Sequence, residues 1–118
     1  MIIGIGTDII EISRIEKNLS NTAFKKRCFS EQEINYIGNR AESAAAIFAA
    51  KEAYSKALGT GFRDFSLLDI EIFHDELKKP YIKAYNNAKR DNCNIFLTLS
   101  HCREYAVAYV VMENSKNA

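Results

Sequence analysis

Two acidic residues far apart in this sequence of 118 residues are the first candidates for chemistry. Asp8 follows an apolar run that contains two glycines, and Glu52 lies inside an alanine-rich stretch. Proteins usually hold Mg²⁺ through one or two carboxylates, while water and substrate phosphates supply the other ligands. The pair therefore predicts a magnesium site if the fold brings the two side chains together. The alternative is that Asp8 caps a turn and that Glu52 forms a surface ion pair with Lys56.

Lysines on the same predicted helix are candidates for binding phosphate. Phe48, Glu52 and Lys56 recur every four residues and therefore share one helix face, which Lys51 flanks. A lysine ammonium can bind phosphate and stabilise negative charge on a group in transfer. A solvated helix face gives the same pattern, so the spacing leaves both interpretations open. The glycines at 59 and 61 indicate a helix end, because a phosphate-binding loop needs the order strand, glycine loop, helix.

A third polar group, Ser100-His101-Cys102, lies between two apolar segments near the C-terminus. A histidine there could bind phosphate or move protons near neutral pH, or it could be an ordinary turn residue. Neighbouring residues in an extended segment point to opposite faces, so His101 and Cys102 are not expected to form a catalytic pair. With two histidines and no paired cysteine spacing, the sequence does not predict a zinc site.

Basic side chains cluster in the first part of the chain, at Arg14, Lys17, Lys25, Lys26 and Arg27. The whole chain has 16 Lys and Arg against 15 Asp and Glu, a formal net charge of +1. This balance of charges argues against a nucleic-acid binder. The local clustering of basic residues then matters more than the net charge of the chain. We call these five residues the basic cluster. It predicts a docking surface for an acidic partner, with ordinary surface charge as the alternative.

Length and composition indicate one domain that spans residues 1–118. Apolar residues make up 47% and charged residues 26% of the chain, as in ordinary globular proteins. No segment approaches the roughly 20 apolar residues that cross a bilayer, and the N-terminus lacks the basic region of a signal peptide. Three cysteines without a paired spacing suit reduced thiols. We therefore expect a cytoplasmic protein with neither a membrane nor a nucleic acid as partner.

Periodicity and capping signals predict the elements that position these residues. Residues 2–8 predict a buried strand in which Gly4 and Gly6 allow a close approach of another backbone. Capping-box patterns starting at Ser13 and Ser30 predict two helix starts, and 43–58 predicts the longest helix. Further strands are predicted at 68–73, 81–83, 95–99 and 105–112, with a short helix at 85–91 and a tight connection at 100–104. This order predicts an α+β fold, with a small, mostly antiparallel sheet packed against one long helix and shorter helices.

With these segments in view, the chain resembles the holo-[acyl-carrier-protein] synthase family, the small bacterial class of 4′-phosphopantetheinyl transferases. The matching segments are 4–8, 48–57, 59–61, 69–72, 79–81 and 99–101. The aspartate strand followed by the FxxKEAxxK helix is specific in this order, and the resemblance covers nearly the whole chain. It implies the 4′-phosphopantetheinyl transferase fold. It also implies an enzyme of fatty acid biosynthesis that moves 4′-phosphopantetheine from coenzyme A to a serine of apo acyl carrier protein and releases adenosine 3′,5′-bisphosphate.

The resemblance also implies roles for single residues. Asp8 and Glu52 would bind Mg²⁺, and Lys56 would lie near the coenzyme A phosphates. From the chemistry of the transfer, Lys56 would stabilise charge on the transferring phosphoryl group, and Glu52 is the candidate for taking the serine proton, directly or through a metal-bound water. Contacts with coenzyme A would come from Lys51, Lys56, Gly59, Lys79, Pro80, Ser100 and His101. The basic cluster would meet the acidic carrier protein and raise the association rate. The family is typically a homotrimer with active sites between subunits.

Two positions depart from the family pattern, Ile47 and Cys102, the second of which is a threonine in some relatives. Family members commonly carry a basic residue where this chain has Ile47, and Arg40 is the candidate replacement. Two other functions also stay open. The first alternative function is a catalytically silent trimeric module that binds a nucleotide or a carrier protein. The second is an enzyme that makes a different phosphate transfer with the same two carboxylates.

Overall fold

The computed structural model describes residues 1–115, which form five strands, four α-helices and two short 3₁₀ helices. The strands are β1 (Ile2–Glu11), β2 (Ile70–His74), β3 (Pro80–Ala84), β4 (Cys93–His101) and β5 (Tyr105–Asn114). The helices are α1 (Ile12–Glu16), α2 (Thr22–Cys28), α3 (Glu31–Ile37) and α4 (Ala41–Leu58), with 3₁₀ turns at Leu67–Asp69 and Asn86–Ala88. Residues 116–118, the end of the predicted domain, lie outside the described part. None of the helices in residues 1–115 is long and apolar enough to cross a membrane.

Antiparallel pairing joins the strands into two sheets. β1, β5 and β4 form a three-stranded sheet in that order, and β2 pairs with β3 as a hairpin. In the larger sheet, Asp8 lies opposite Ala108, and His101 lies opposite Ala106. The predicted α+β class, with a small antiparallel sheet and one long helix, is confirmed.

The long helix α4 lies close against β1 because both surfaces carry very small residues. Ala53 and Ala57 on α4 face Gly4 and Gly6, and a Cβ added to either glycine would overlap a helix carbonyl oxygen. The predicted close approach at these glycines is therefore confirmed. Asp8 has the same parity as the two glycines along β1, so its side chain is on the sheet face that α4 covers.

Several element boundaries differ from the sequence-based expectation. β1 continues past Asp8 to Glu11, because β5 from Tyr105 onward supplies pairing partners for the extra residues. α1 begins at Ile12 after Glu11 as N-cap, without a side-chain cap, so the capping box predicted at Ser13 is wrong. The capping box at Ser30 is confirmed, since Ser30 and Glu33 bond reciprocally.

Two further boundaries differ near the hairpin and near the last connection. The strand predicted at 68–73 begins only at Ile70, because the Asp69 side chain accepts the Ser66 backbone N–H and holds a 3₁₀ turn. Ser100 and His101 belong to β4 rather than to the predicted tight connection, since both residues pair with β5. As neighbouring residues of a strand, Ser100 and His101 point to opposite faces of the sheet.

A fully buried ion pair joins four elements. The Lys51 Nζ on α4 lies 2.7 Å from Glu33 Oε1 on α3 and donates to the Cys28 carbonyl oxygen of α2 at 2.8 Å. Glu33 also accepts the backbone N–H groups of Ser30 and of Ile72 on β2, each at 2.8 Å. Burial lowers the pKa of Lys51, and the Glu33 carboxylate acts in the opposite direction.

Candidate active site

Asp8 and Lys56 meet where β1 passes under α4, and Glu52 lies one helical turn before Lys56. The Lys56 Nζ lies 3.1 Å from Asp8 Oδ1 and donates to the Thr7 carbonyl oxygen at 2.9 Å. Partial burial raises the pKa of Glu52, the Asp8 charge raises it further, and the Lys56 charge lowers it. The fold thus brings together the two acids that are far apart in sequence. We call these three residues the acid–lysine cluster.

The simpler explanations of these residues do not match the geometry. Lys56 does not pair with Glu52: within residues 1–115 the ion pairs are Lys56 with Asp8 and Lys51 with Glu33. Asp8 does not cap a turn, because it lies inside β1 and pairs with Ala108 of β5. The acid–lysine cluster therefore comes from tertiary packing and not from local sequence.

The acid–lysine cluster fits a divalent cation that binds together with a phosphate. Two carboxylates of like charge, both only partly exposed, favour a nearby positive charge, and the Lys56 ammonium already supplies one beside Asp8. No group of three or more His, Cys, Asp or Glu residues within 1–115 could hold a metal ion. Protein side chains would thus supply two ligands, Asp8 and Glu52. That number suits Mg²⁺, which keeps water and phosphate oxygens as its other ligands.

A second polar feature is a cavity of about 260 Å³ among α3, α4 and the β2–β3 hairpin. We call it the histidine cavity, and its lining includes Arg40, His74, Lys78, Pro80 and His101. Ile47 also lines it, so Arg40 and the position for which it is the candidate replacement lie in the same cavity. The cavity therefore combines four side chains that can carry positive charge around one concave surface.

A stack of three side chains forms one wall of the histidine cavity. The Tyr36 and His74 rings are parallel within 5°, with centroids 3.8 Å apart, and the Arg40 guanidinium lies 4.8 Å from the Tyr36 centroid. Arg40 also donates to the Tyr36 and Ile37 carbonyl oxygens at the end of α3. Burial lowers the pKa of His74, and the charges of Arg40 and Lys78 lower it further.

The histidine cavity contains some of the predicted coenzyme A contacts and not others. Pro80 and His101 line it, whereas Lys78 lines it in place of Lys79, whose ammonium lies 5.6 Å from the Tyr81 ring centroid. Ser100 is exposed and, by strand alternation, points to the sheet face opposite to that of His101.

Gly59 and Lys51 are also outside the histidine cavity, for different reasons. Gly59 is the C-cap of α4 with φ of 80°, a left-handed conformation that favours glycine. Lys51 has no solvent exposure, and its ammonium binds Glu33 and Cys28 inside the protein. The expectation that Lys51 binds coenzyme A therefore does not fit the structure, because its charge is already paired in the interior.

Sequence reasoning missed Tyr36, His74 and Lys78. The stack of Tyr36 on His74 joins α3 to β2, and no periodicity links residues so far apart in sequence. Lys78 directly precedes Lys79, the lysine that the resemblance places at coenzyme A, and it is Lys78 that lines the histidine cavity. The backbone conformation at Lys78, which has a positive φ of 69°, is the feature that sequence did not indicate.

The basic cluster lies on α1, at its C-cap and on α2, with four of its five residues exposed and Lys25 partly exposed. None of the five forms an ion pair with another part of residues 1–115. Arg27 lies 5.9 Å from the Phe24 ring centroid. These charges are therefore free to meet an acidic surface.

The sheet face opposite α4 is apolar and exposed. Ile5 on β1, Phe96 on β4 and Tyr109 on β5 are 58%, 52% and 46% exposed. Ile5 and Phe96 both lie opposite Val111, so they share one face. We call this surface the outer sheet face, and it also includes Ile3 and Ile9. Contiguous exposed apolar surface of this kind marks an interaction site.

The fold and site define a small α+β protein with one alanine-rich helix over an antiparallel sheet and an acid–lysine cluster at their crossing. The family model of the 4′-phosphopantetheinyl transferase superfamily matches residues 4–110. The chain belongs to this superfamily, as its resemblance to the small bacterial members predicts.

Relatives named holo-[acyl-carrier-protein] synthase match over nearly their whole length. The protein of Fusobacterium nucleatum is 49% identical, over 95% of this chain and 99% of the relative. The protein of Clostridium botulinum strain Alaska E43 is 51% identical, over 96% and 98%.

Solved structures of proteins with the same name share the fold. The crystal structure of the Bacillus anthracis protein in complex with CoA (3′,5′-ADP) has a TM-score of 0.85 at 45% identity, covering 98% of this chain and 99% of that one. The Helicobacter pylori protein in complex with coenzyme A has a TM-score of 0.85 at 36% identity, covering 92% and 99%.

Proposed function

We propose that this chain transfers 4′-phosphopantetheine from coenzyme A to a serine of apo acyl carrier protein, with release of adenosine 3′,5′-bisphosphate, for fatty acid biosynthesis. The observation that carries the proposal is the acid–lysine cluster in a member of this superfamily. The names of the relatives and the coenzyme A in two related structures support the choice of substrates.

Each residue of the acid–lysine cluster would take part in this transfer. Asp8 and Glu52 would hold Mg²⁺, which when bound neutralises charge on the pyrophosphate of coenzyme A. The bond to be broken is a phosphoanhydride, so the leaving group needs little help from a proton donor. The main difficulty is to bring a serine hydroxyl to an anionic phosphorus, which calls for positioning and charge stabilisation.

Lys56 would stabilise the negative charge of the phosphoryl group, and Glu52 would accept the serine proton. The Lys56 side chain is 53% exposed, while its ammonium is fixed by Asp8 and the Thr7 carbonyl oxygen. A fixed positive charge stabilises a phosphoryl group as negative charge develops on it. The Glu52 carboxylate, at the same cluster, would accept the serine proton.

The histidine cavity would take the nucleotide end of coenzyme A. Arg40, Lys78 and His101 present charge and hydrogen-bond donors to its phosphates, and Arg40 takes the place of the basic residue that is absent at Ile47. The lining of this cavity includes no residue of the acid–lysine cluster. A single chain thus carries two partial sites that share no residue.

A homotrimer with active sites between subunits accounts for both partial sites. The acid–lysine cluster of one subunit would face the histidine cavity of the next, and the outer sheet face would be buried in assembly. The apolar exposure of Ile5, Phe96 and Tyr109 supports this arrangement. The basic cluster stays exposed on α1 and α2, where it would meet the acidic carrier protein.

We also propose the cytoplasm as the location. Cys28, Cys93 and Cys102 are free thiols in the described chain, which suits a reducing compartment.

The proposed transfer is tested by intact-protein mass spectrometry of an apo acyl carrier protein incubated with coenzyme A, Mg²⁺ and this chain. We expect a mass gain of one phosphopantetheine that excess chelator abolishes and that Glu52→Gln reduces at least about 100-fold. Asp91→Asn, which changes an exposed acid outside both partial sites, should leave the gain intact. No gain with several carrier proteins would favour the binding-module alternative, and a different product would favour another phosphate transfer.

A further inference from the structure

An open groove of about 540 Å³ lies beside α2, α3 and the 3₁₀ turn at Leu67–Asp69, and of its lining residues only Lys26 has a role above. We call it the Leu68 groove. Its lining includes Lys26 from α2, Glu31, Ile34 and Asn35 from α3, and Phe29 and Leu68.

The interior of the Leu68 groove is apolar. Phe29 is 2% exposed and closes the groove from the protein side, whereas Leu68 is 44% exposed on its wall. Ile34 is partly exposed between them. Ser30 also borders the groove, but its hydroxyl already donates to Glu71 at 2.7 Å. The surface that remains suits an apolar side chain rather than a strongly polar ligand.

The charges around the Leu68 groove indicate the kind of partner that brings this side chain. Lys26 lines the groove and belongs to the basic cluster, with Lys25 and Arg27 beside it on α2. Neither Lys26 nor Glu31 forms an ion pair within residues 1–115. An acidic partner would therefore be attracted at the Lys26 side and repelled at the Glu31 side, which orients it.

We propose that the Leu68 groove receives an apolar side chain of the acyl carrier protein, while the basic cluster holds acidic residues of the same protein. This inference rests on the proposed function, because that function supplies the acidic partner. Interfaces of this kind commonly bury one apolar anchor in a pocket beside charges that set association rate and orientation. The docking surface for the carrier protein would thus combine the charges of the basic cluster with an apolar pocket of matching shape.

The test compares Leu68→Ser with Leu77→Ser, a second exposed leucine that lies at the tip of the β2–β3 hairpin outside the groove. Loss of one buried leucine contact predicts a rise of about tenfold in the KM for apo acyl carrier protein. The KM for coenzyme A should not change, and Leu77→Ser should leave the KM for the carrier protein unchanged. Asn35→Trp, which fills the groove from an exposed position, should raise the same KM.

Charge variants test the orientation, and direct binding separates this inference from the proposed function. Lys26→Gln should raise the KM for the carrier protein, and Glu31→Gln should lower it. Unchanged KM values for both Leu68→Ser and Asn35→Trp would overturn the inference. If the wild type transfers nothing, calorimetric Kd values for apo carrier protein test the groove separately. Weaker binding by both variants would support the groove and refute only the proposed transfer. Binding equal to that of the wild type would refute the groove.

Discussion

Removal of the buried Lys51 charge should reveal how strongly the interior depends on its ion pair. In Lys51→Met the Glu33 carboxylate stays in a fully buried position without its cation. Breaking a buried pair by removing one partner costs about 3–5 kcal/mol, since the remaining charge is uncompensated. Glu33 still accepts two backbone N–H groups, so we expect the lower end, about 3 kcal/mol.

That loss is large compared with the stability of a small domain, which is about 5–15 kcal/mol. For a chain of this length, about 3 kcal/mol corresponds to a fall of roughly 10 °C in Tm. The assay is urea unfolding followed by circular dichroism at neutral pH, with protein concentration held constant because the proposed assembly would contribute to stability. Lys89→Met, which removes an exposed lysine, should change the free energy of unfolding by less than about 0.5 kcal/mol.

The double variant Glu33→Gln/Lys51→Met isolates the charge effect. A glutamine oxygen can still accept one of the backbone N–H groups, and no charge is left in the interior. We therefore expect the double variant to be more stable than Lys51→Met alone. If Lys51→Met lost less than about 1 kcal/mol, or if the double variant were no more stable than Lys51→Met, the buried-charge argument would be refuted.

Four further predictions follow from the fold and site. Gly6→Ala should cost about 3 kcal/mol or more in urea unfolding, because its Cβ would overlap the Ala53 carbonyl oxygen and meet the Ala57 nitrogen at 2.8 Å. Burial raises the pKa of Tyr54 to about 12, so the unfolded chain ionises first and stability falls by up to about 2.7 kcal/mol as pH rises from about 10 to 12. Tyr54→Phe should remove this alkaline slope in pH-dependent unfolding. Because the pKa of Glu52 is raised, kcat/KM should fall on acidification while the pH is still above the ordinary value of 4.5, and added Mg²⁺ should partly restore it. Ile9→Asp on the outer sheet face should shift the mass measured by light scattering from trimer to monomer and reduce transfer; an unchanged trimer would contradict the assembly.

The parts of the fold that sequence predicted are those with strong local signals. The alanine-rich run of α4 and the capping box at Ser30 both leave a local pattern, and the structure confirms each one. The start of α1 was wrong because Glu11, the last residue of β1, takes the N-cap position. Strand pairing with β5 extends to Glu11, and a local pattern around Ser13 does not contain that information.

In the candidate site, too, local signals identified residues but did not show which contacts they make. Asp8, Glu52 and Lys56 were candidates from residue type and family resemblance, but only tertiary packing shows that Lys56 turns to Asp8. Lys51 was assigned to coenzyme A because it flanks the same helix face as Glu52. Its position at the junction with α2 and α3 instead buries the ammonium against Glu33. A lysine on a helix therefore needs its neighbours from other elements before its role can be assigned.

The alternation of β1 connects the two partial sites to assembly. Gly4, Gly6 and Asp8 point to α4, which lets the helix come close enough to place Glu52 and Lys56 beside Asp8. Residues of the other parity, among them Ile5 and Ile9, form the outer sheet face. A shift of one residue in the pairing of β1 would exchange these two sets and destroy both surfaces together. The strand that carries Asp8, the proposed metal ligand, thus also carries the surface that would bring a second subunit to it.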